Sequence, residues 1–219
     1  MLDTYLLIIE LVGTIAFASS GAMVGIKKEM DLLGVCVLGM TTAVGGGMIR
    51  DLILGVTPPI MFQNPVYALL AISFSILIFF WIYFHHGIKK SPFYDAYDKL
   101  MMLFDSLGLG LFTVSGVNAA VNMEYETTAF LQVFVGVLTG VGGGVLRDVM
   151  AKNMPYIFVK HVYASASIIG AITCVVVGRI FGQLQGMLVG AIVVFVIRIL
   201  AAHFKWNLPR IKQETMGEK

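Results

Sequence analysis

The sequence predicts an all-α membrane protein with seven transmembrane helices, built as an inverted repeat of two three-helix units plus a seventh helix. Three observations lead to this fold class. Hydrophobic residues make up 58% of the 219 positions and charged residues only 13%, with a mean hydropathy of +0.88. Seven apolar stretches are long enough to cross a bilayer core of about 30 Å. The motif Gly-Gly-Gly-x-x-Arg-Asp occurs twice.

The seven stretches are predicted to be helices because backbone groups in hydrocarbon have no water to bond, and the alternating pattern of barrel strands is absent from the sequence. We place them near residues 4–26, 31–55, 65–84, 99–121, 127–150, 161–179 and 183–203. They form a single transmembrane domain, 1–209, followed by a polar cytoplasmic tail, 210–219. The first repeat covers about 4–84, the second about 99–179, and the seventh helix about 183–203.

The duplication relates Gly45–Gly47 to Gly142–Gly144 at an offset of 97 residues. Upstream the offset is 95, which relates Phe17 to Phe112 and Glu10 to Asp105. Each unit holds three helices, an odd number, so the second unit must enter the membrane from the opposite side. The repeat is therefore inverted, an arrangement that places a pathway at the interface between the two units in transporters.

The distribution of Lys and Arg predicts the orientation. With the amino terminus outside, 13 of the 15 basic residues lie on the cytoplasmic side, and only Arg50 and Arg179 lie outside. We therefore expect a multi-pass protein of the plasma (inner) membrane, and the positive-inside rule predicts that its amino terminus is outside and its carboxyl terminus cytoplasmic.

Small residues recur every four positions in the second and fifth spans. Such stripes let helix backbones approach closely. Packing alone is one explanation, but three consecutive glycines exceed what close packing requires, because each costs about 1 kcal/mol of helix propensity relative to Ala. We therefore predict a kink or break at the two triple glycines that shapes a pore. The packing residues are Gly39, Ala43, Gly136 and Gly140, and the hinge residues are Gly45, Gly46, Gly47, Gly142, Gly143 and Gly144.

Each triple glycine is followed by Arg-Asp. These charges could extend to the membrane surface, as most arginines at helix ends do. However, the glycine stripe points toward them, which favours burial against a helix, and a buried arginine requires a carboxylate. The repeat supplies one for each arginine at its own depth. We therefore predict two charge clusters at opposite ends of the subunit: Glu10 with Arg50 and Asp51, and Asp105 with Arg147 and Asp148.

Other chemistry is sparse in this sequence. His85 and His86 are expected to be solvated loop residues, and His161 and His203 are isolated, so no metal site is predicted. No nucleophile is paired with a base, and no phosphate-binding loop or nucleic-acid patch is present. We expect neither an enzyme nor a cofactor.

Several motifs together resemble one known family. They are the doubled glycine motif, Phe17–Ala22 (FASSGA), Asp31–Gly34 (DLLG), Arg198–Ala201 (RILA) and Trp206–Pro209 (WNLP). From about Thr4 to Pro209 the chain resembles the prokaryotic trimeric intracellular cation (TRIC) channel family. The resemblance implies a homotrimer in membrane lipid, in which each subunit has its own pore for potassium and sodium, framed by the second and fifth spans.

Two function classes remain from the sequence: a passive cation channel, and a secondary transporter of a small solute such as glycine. Inverted repeats with interrupted helices suit both classes. A transporter normally needs ligands for a coupling ion near the middle of the membrane, and the glycine-rich spans carry no acid at that depth. The channel is therefore the favoured function.

Overall fold

The computed structural model describes residues 2–84, 94–123, 125–159 and 162–206, all helices and their connections. Within these described residues, seven helices are long and apolar enough to cross a membrane, which confirms the predicted fold class. They are α1 (Leu2–Lys27), α2 (Leu32–Ile53), α4 (Val66–Phe84), α5 (Tyr94–Val121), α6 (Ala129–Met150), α8 (Tyr163–Phe181) and α9 (Gln183–His203). Helix α5 begins five residues before its predicted start at 99. His85, His86, His161 and the tail at 210–219 lie outside the described residues.

The duplication extends to the helix ends. Asp31 caps α2 by accepting a hydrogen bond from the Gly34 amide at 2.7 Å, and Thr128 caps α6 by accepting one from the Leu131 amide at 3.2 Å. Both caps satisfy amides that a helix start leaves without partners. Each helix then ends in a left-handed residue, Gly55 after α2 and Lys152 after α6. The second helix of each unit therefore starts and stops in the same way.

Two short helices were not predicted: α3 (Ile60–Gln63) and α7 (Tyr156–Val159). They occupy equivalent positions, each directly after the Arg-Asp helix of its unit. Four residues are too few to show a helical period in the sequence. The only shared signal before these helices is the pair of equivalent prolines, Pro58 and Pro155.

Four helices, α1, α2, α5 and α6, pack together at the centre of the bundle, and α4, α8 and α9 lie around them. The central helices bury most of the polar side chains. The surrounding helices expose large apolar side chains such as Leu69, Ile172 and Ile192, as expected of surfaces that contact lipid.

Helices α2 and α6 cross at their glycines. A methyl group placed on Gly46 would collide with the carbonyl oxygen of Thr139, and one placed on Gly143 with the carbonyl oxygen of Thr42. Both helices run as continuous α-helices through the glycines, so neither is broken there. The physical reason is that the two backbones cover each other at the crossing. A bend within a continuous helix stays a prediction.

The remaining small residues serve close packing. Gly39 lies against α1 and α4, and Gly136 and Gly140 lie against the backbone of α5, with Thr113 and Leu109 carbonyl oxygens about 3 Å from where a side chain would begin. Ala43 is buried.

Candidate functional site

The first charge cluster lies between α1, α2 and α5. The Arg50 Nη1 atom is 3.7 Å from Glu10 Oε1, and Arg50 Nε donates to Asp51 Oδ1 at 2.8 Å. Ser115 donates to Glu10 at 3.0 Å and Tyr67 donates to its other oxygen at 2.7 Å. Glu10 therefore has polar partners on both carboxylate oxygens. We call this the Glu10 end of the bundle.

The second cluster repeats this plan at the opposite end, which we call the Asp105 end. Arg147 Nη1 donates to Asp105 Oδ1 at 2.6 Å, and Arg147 Nε donates to Asp148 Oδ1 at 2.9 Å. Tyr163 is placed as Tyr67 is, with its hydroxyl 3.3 Å from Asp105 Oδ1. Both pairings expected from the repeat are present in the structure.

The aspartates beside the arginines have a positioning role. Asp51 accepts the Ile60 amide at 2.9 Å through its second oxygen, and Asp148 accepts the Tyr156 amide at 3.0 Å in the same way. Each carboxylate thus joins its arginine to the first turn of a short helix, α3 or α7. Because each carboxylate bridges the guanidinium and a backbone amide, it holds the guanidinium in place relative to the short helix.

Each arginine also contacts a serine from the other unit. Arg147 donates to Ser20 on α1 at 2.6 Å, and Arg50 Nη1 lies 3.4 Å from the Ser115 hydroxyl on α5. Ser20 and Ser115 are related by the same offset of 95 residues that relates Glu10 to Asp105. The two units therefore complete each other's clusters.

The two ends differ in charge. The Glu10 end has two carboxylates and one guanidinium, a formal charge of −1. At the Asp105 end α9 contributes a second guanidinium, since Arg198 Nη2 lies 3.7 Å from Asp105 Oδ2 and its guanidinium carbon lies 4.7 Å from the centre of the Tyr163 ring. That cluster has two carboxylates and two guanidinium groups and is formally neutral.

The two ends also differ in exposure. The Asp105 and Arg147 side chains are each 1% exposed, whereas 26% of the Glu10 side chain is exposed. A side chain at Gly144 would lie 2.8 Å from the Tyr163 hydroxyl, but one at Gly47 would have only Arg50 within 4 Å, at 3.8 Å. Equivalent glycines thus face a covered surface at one end and open space at the other.

That open space is a cavity of about 40 Å³ beside Gly47, enough for a few water molecules. Its wall includes Glu10, Thr14, Arg50, Tyr67 and Phe112. Phe112 packs on Phe17 with ring centroids 5.3 Å apart. These two rings are repeat equivalents, and Phe17 is 1% exposed, so apolar side chains lie between the cavity and the Asp105 end.

Sequence reasoning found the acids and the arginines but missed the other groups around them. Ser20 and Ser115, like Tyr67 and Tyr163, occupy corresponding helices, so comparison of the units could have found them. Arg198 lies outside the repeat. Its signal was a single charge inside the apolar stretch at 183–203, because charges inside such spans are costly and are rarely retained without a partner.

Comparison with known proteins places this arrangement in a family. A family model described as "Glycine transporter" matches residues 7–83 and 102–179, one segment in each repeat. A solved TRIC cation channel from a study of conductance has a TM-score of 0.80 and 36% identity, covering 95% of this chain and 98% of that one. The chain belongs to the prokaryotic TRIC channel family.

Further relatives match this chain over nearly its whole length. The TRIC orthologue from Rhodobacter sphaeroides has a TM-score of 0.82 at 30% identity, covering 93% of this chain and all of that one. A UPF0126 membrane protein of Deinococcus radiodurans is 37% identical over 92% of this chain and 89% of the relative. The inner membrane protein YadS of Escherichia coli K12 is 35% identical, with coverage of 95% and 97%. This TRIC family member is therefore a multi-pass membrane protein.

Proposed function

We propose that this protein is a channel for monovalent cations, potassium and sodium, with a pore within each subunit of a homotrimer. One observation carries the proposal: two equivalent charge clusters lie at opposite ends of the α2–α6 crossing, and the one beside a cavity has a surplus carboxylate. Carboxylates at a pore entrance favour cations over anions and replace part of their hydration. Its relatives among solved structures are TRIC cation channels.

In this proposal Arg50 does not repel an entering cation because its charge is balanced twice. Asp51 accepts a hydrogen bond from Arg50 Nε at 2.8 Å, and Glu10 Oε1 lies 3.7 Å from Arg50 Nη1. Glu10 keeps exposed surface, so its charge is available to the cavity. The pathway continues along α2 and α6, past Phe112 and Phe17.

We assign the described conformation to a closed state. The Phe17–Phe112 pair fills the middle, and the Asp105 end is sealed by Tyr163 and Arg198. Conduction requires both obstacles to move. The glycine crossing of α2 and α6 is the place where the two units can shift relative to each other, and a bend at Gly45–Gly47 or Gly142–Gly144 would widen the path.

We propose that the Glu10 end faces outward and the Asp105 end faces the cytoplasm. The support is the distribution of 13 of 15 basic residues to the cytoplasmic side. A reporter active only in the cytoplasm, fused after Lys219, should be active, and a reporter active only outside should be silent. The reverse result would invert the orientation.

Flux through the purified protein in proteoliposomes tests the function. We expect potassium to pass down its gradient at rates that exceed those of an alternating-access cycle, and Glu10→Gln to lower the flux. Asp98→Asn is the matched control, because Asp98 pairs with Lys27 on the surface with 53% of its side chain exposed. Saturable glycine uptake without potassium conductance would instead support a transporter, the alternative that the family model's description raises.

A further inference from the structure

A second cavity lies at the Glu10 end, apart from the pathway. It has a volume of about 260 Å³ and is enclosed by α5, α6, α8 and α9. Four polar side chains converge on it, one from each helix: Asn118, Gln132, Arg179 and Gln183. The helices themselves are apolar, so this concentration of polar groups requires an explanation.

The cavity is electropositive. Arg179 forms no ion pair with any described residue, and the described side chains that line the cavity include no carboxylate. The amino terminus of α9, the positive end of the helix dipole, begins at Gln183 in the wall. Among the described residues, Arg179 is also one of only two basic residues on the Glu10 side, and the other, Arg50, is neutralised by its cluster.

Unused hydrogen-bonding capacity lies inside the cavity. Asn118 is 6% exposed, and its side-chain oxygen accepts from Gln183 Nε2, which also donates to Asn122 at 3.0 Å. The Asn118 Nδ2 group donates to none of the described residues. Asn118 is largely buried but lines the cavity, so water or a ligand inside the cavity can accept from this amide.

The fold does not require these polar groups. The inverted repeat places Met23, Ile78 and Ile82 at the other end where Asn118, Val175 and Arg179 stand here. Those residues line a groove of about 590 Å³ between α1, α4 and α5 that is almost wholly apolar. The same position in the fold is therefore stable with apolar side chains, so the polar set is a local property of this cavity.

We propose that the cavity binds an oxyanion that carries an apolar substituent. Arg179 pairs with the carboxylate or phosphate oxygens, Asn118 Nδ2 donates to them, and Val117 and Met187 contact the apolar part. This chemistry has two sources at this depth: a short-chain aliphatic carboxylate from solution, or the phosphate of a phospholipid headgroup from the surrounding leaflet. The site is independent of the proposed pore.

Titration calorimetry on the full-length protein in non-ionic detergent tests the site, with butyrate and short-chain phosphatidylglycerol as probes and uncharged butyramide as the matched control. We expect saturable binding of at least one anionic probe and none of butyramide. Butyrate binding would identify solution as a source, and phosphatidylglycerol binding would identify lipid.

Arg179→Gln should raise the Kd about tenfold or more, because a charge-assisted hydrogen bond is lost. Gln183→Glu should weaken binding similarly by placing a negative charge in the wall, and it serves as the second variant. Lys28→Gln, which removes an exposed cation at the opposite end, should leave the Kd unchanged. Absence of saturable binding to the wild type, or an unchanged Kd in both cavity variants, would overturn the proposal.

Discussion

The Glu10 end and the Asp105 end are built from duplicated residues, yet one is a polar cavity and the other is a sealed ion-pair network. At both ends an arginine bonds the acid of its own unit, the following aspartate and a serine of the other unit. Only the Asp105 end receives Arg198 from α9 and loses all exposure of its acid. The helix outside the repeat is thus what makes the two ends different.

The comparison shows that the cluster whose charges are balanced is also the cluster whose acid is buried. A buried carboxylate is stable only when its charge is compensated, since removing ions from water costs several kcal/mol each. Two guanidinium groups balance the two buried carboxylates at the Asp105 end. With one guanidinium, the Glu10 end retains a negative charge, and its acid stays in contact with the cavity. Helix α9 therefore completes a charge cluster in addition to packing against α5 and α8.

The largest difference between the two ends is expected in the free energy of unfolding that each acid contributes. Asp105→Asn leaves two buried guanidinium groups without their shared carboxylate and should lower the free energy of unfolding by about 3–5 kcal/mol. Glu10→Gln should cost about 1 kcal/mol or less, because Glu10 is partly exposed. Chemical unfolding of the purified variants measures both. Equal losses would show that the two ends are energetically alike and would remove the basis of the comparison.

The next largest effect is expected from replacing the glycines at the α2–α6 crossing by alanine. Gly46→Ala and Gly143→Ala place a methyl group against a backbone carbonyl of the partner helix and should each cost about 1–3 kcal/mol. Gly47→Ala points into open space and should change the unfolding free energy little while altering conductance. If Gly46→Ala were as stable as Gly47→Ala, α2 and α6 would not be held at this distance.

Replacing Arg198 should change the open probability of the channel, because Arg198 helps to close the Asp105 end. Replacing it by Met keeps the apolar stem but removes the charge that lies 3.7 Å from Asp105, so the open state should become more populated, by about tenfold if the closed state loses 1.4 kcal/mol. Single-channel recording in bilayers measures the open probability. Lys28→Gln, which removes an exposed cation outside the charge clusters, is the control. An unchanged open probability in Arg198→Met would assign Arg198 to packing.

The smallest effect is expected on single-channel conductance, through the electrostatic attraction of cations by Glu10. Glu10→Gln is expected to reduce single-channel cation conductance about two- to threefold at 0.1 M salt, where the Debye length is about 10 Å, and less at 1 M, where it is about 3 Å. Asp98→Asn at the other end serves as the reference. A reduction that is the same at both salt concentrations would argue against attraction of cations by the surplus carboxylate.

Much of this arrangement was predictable because it follows from composition and internal repetition. Span length, the inversion and the pairing of Glu10 with Arg50 all follow from counting residues and matching offsets. The continuity of α2 through three glycines was not predictable, since helix propensity measured in water ignores a partner backbone that lies against Gly46. Arg198 was missed because contacts between α9 and the repeat depend on tertiary packing.

The exchange of serines between the units has a consequence for how such a chain could arise. One three-helix unit carries both a serine and an arginine, but each arginine bonds the serine of the other unit. Two identical, unlinked units facing opposite ways across a bilayer would satisfy both bonds without any new residue. Gene fusion would then preserve contacts that an antiparallel dimer already makes, and a single unit expressed alone would leave its arginine one partner short.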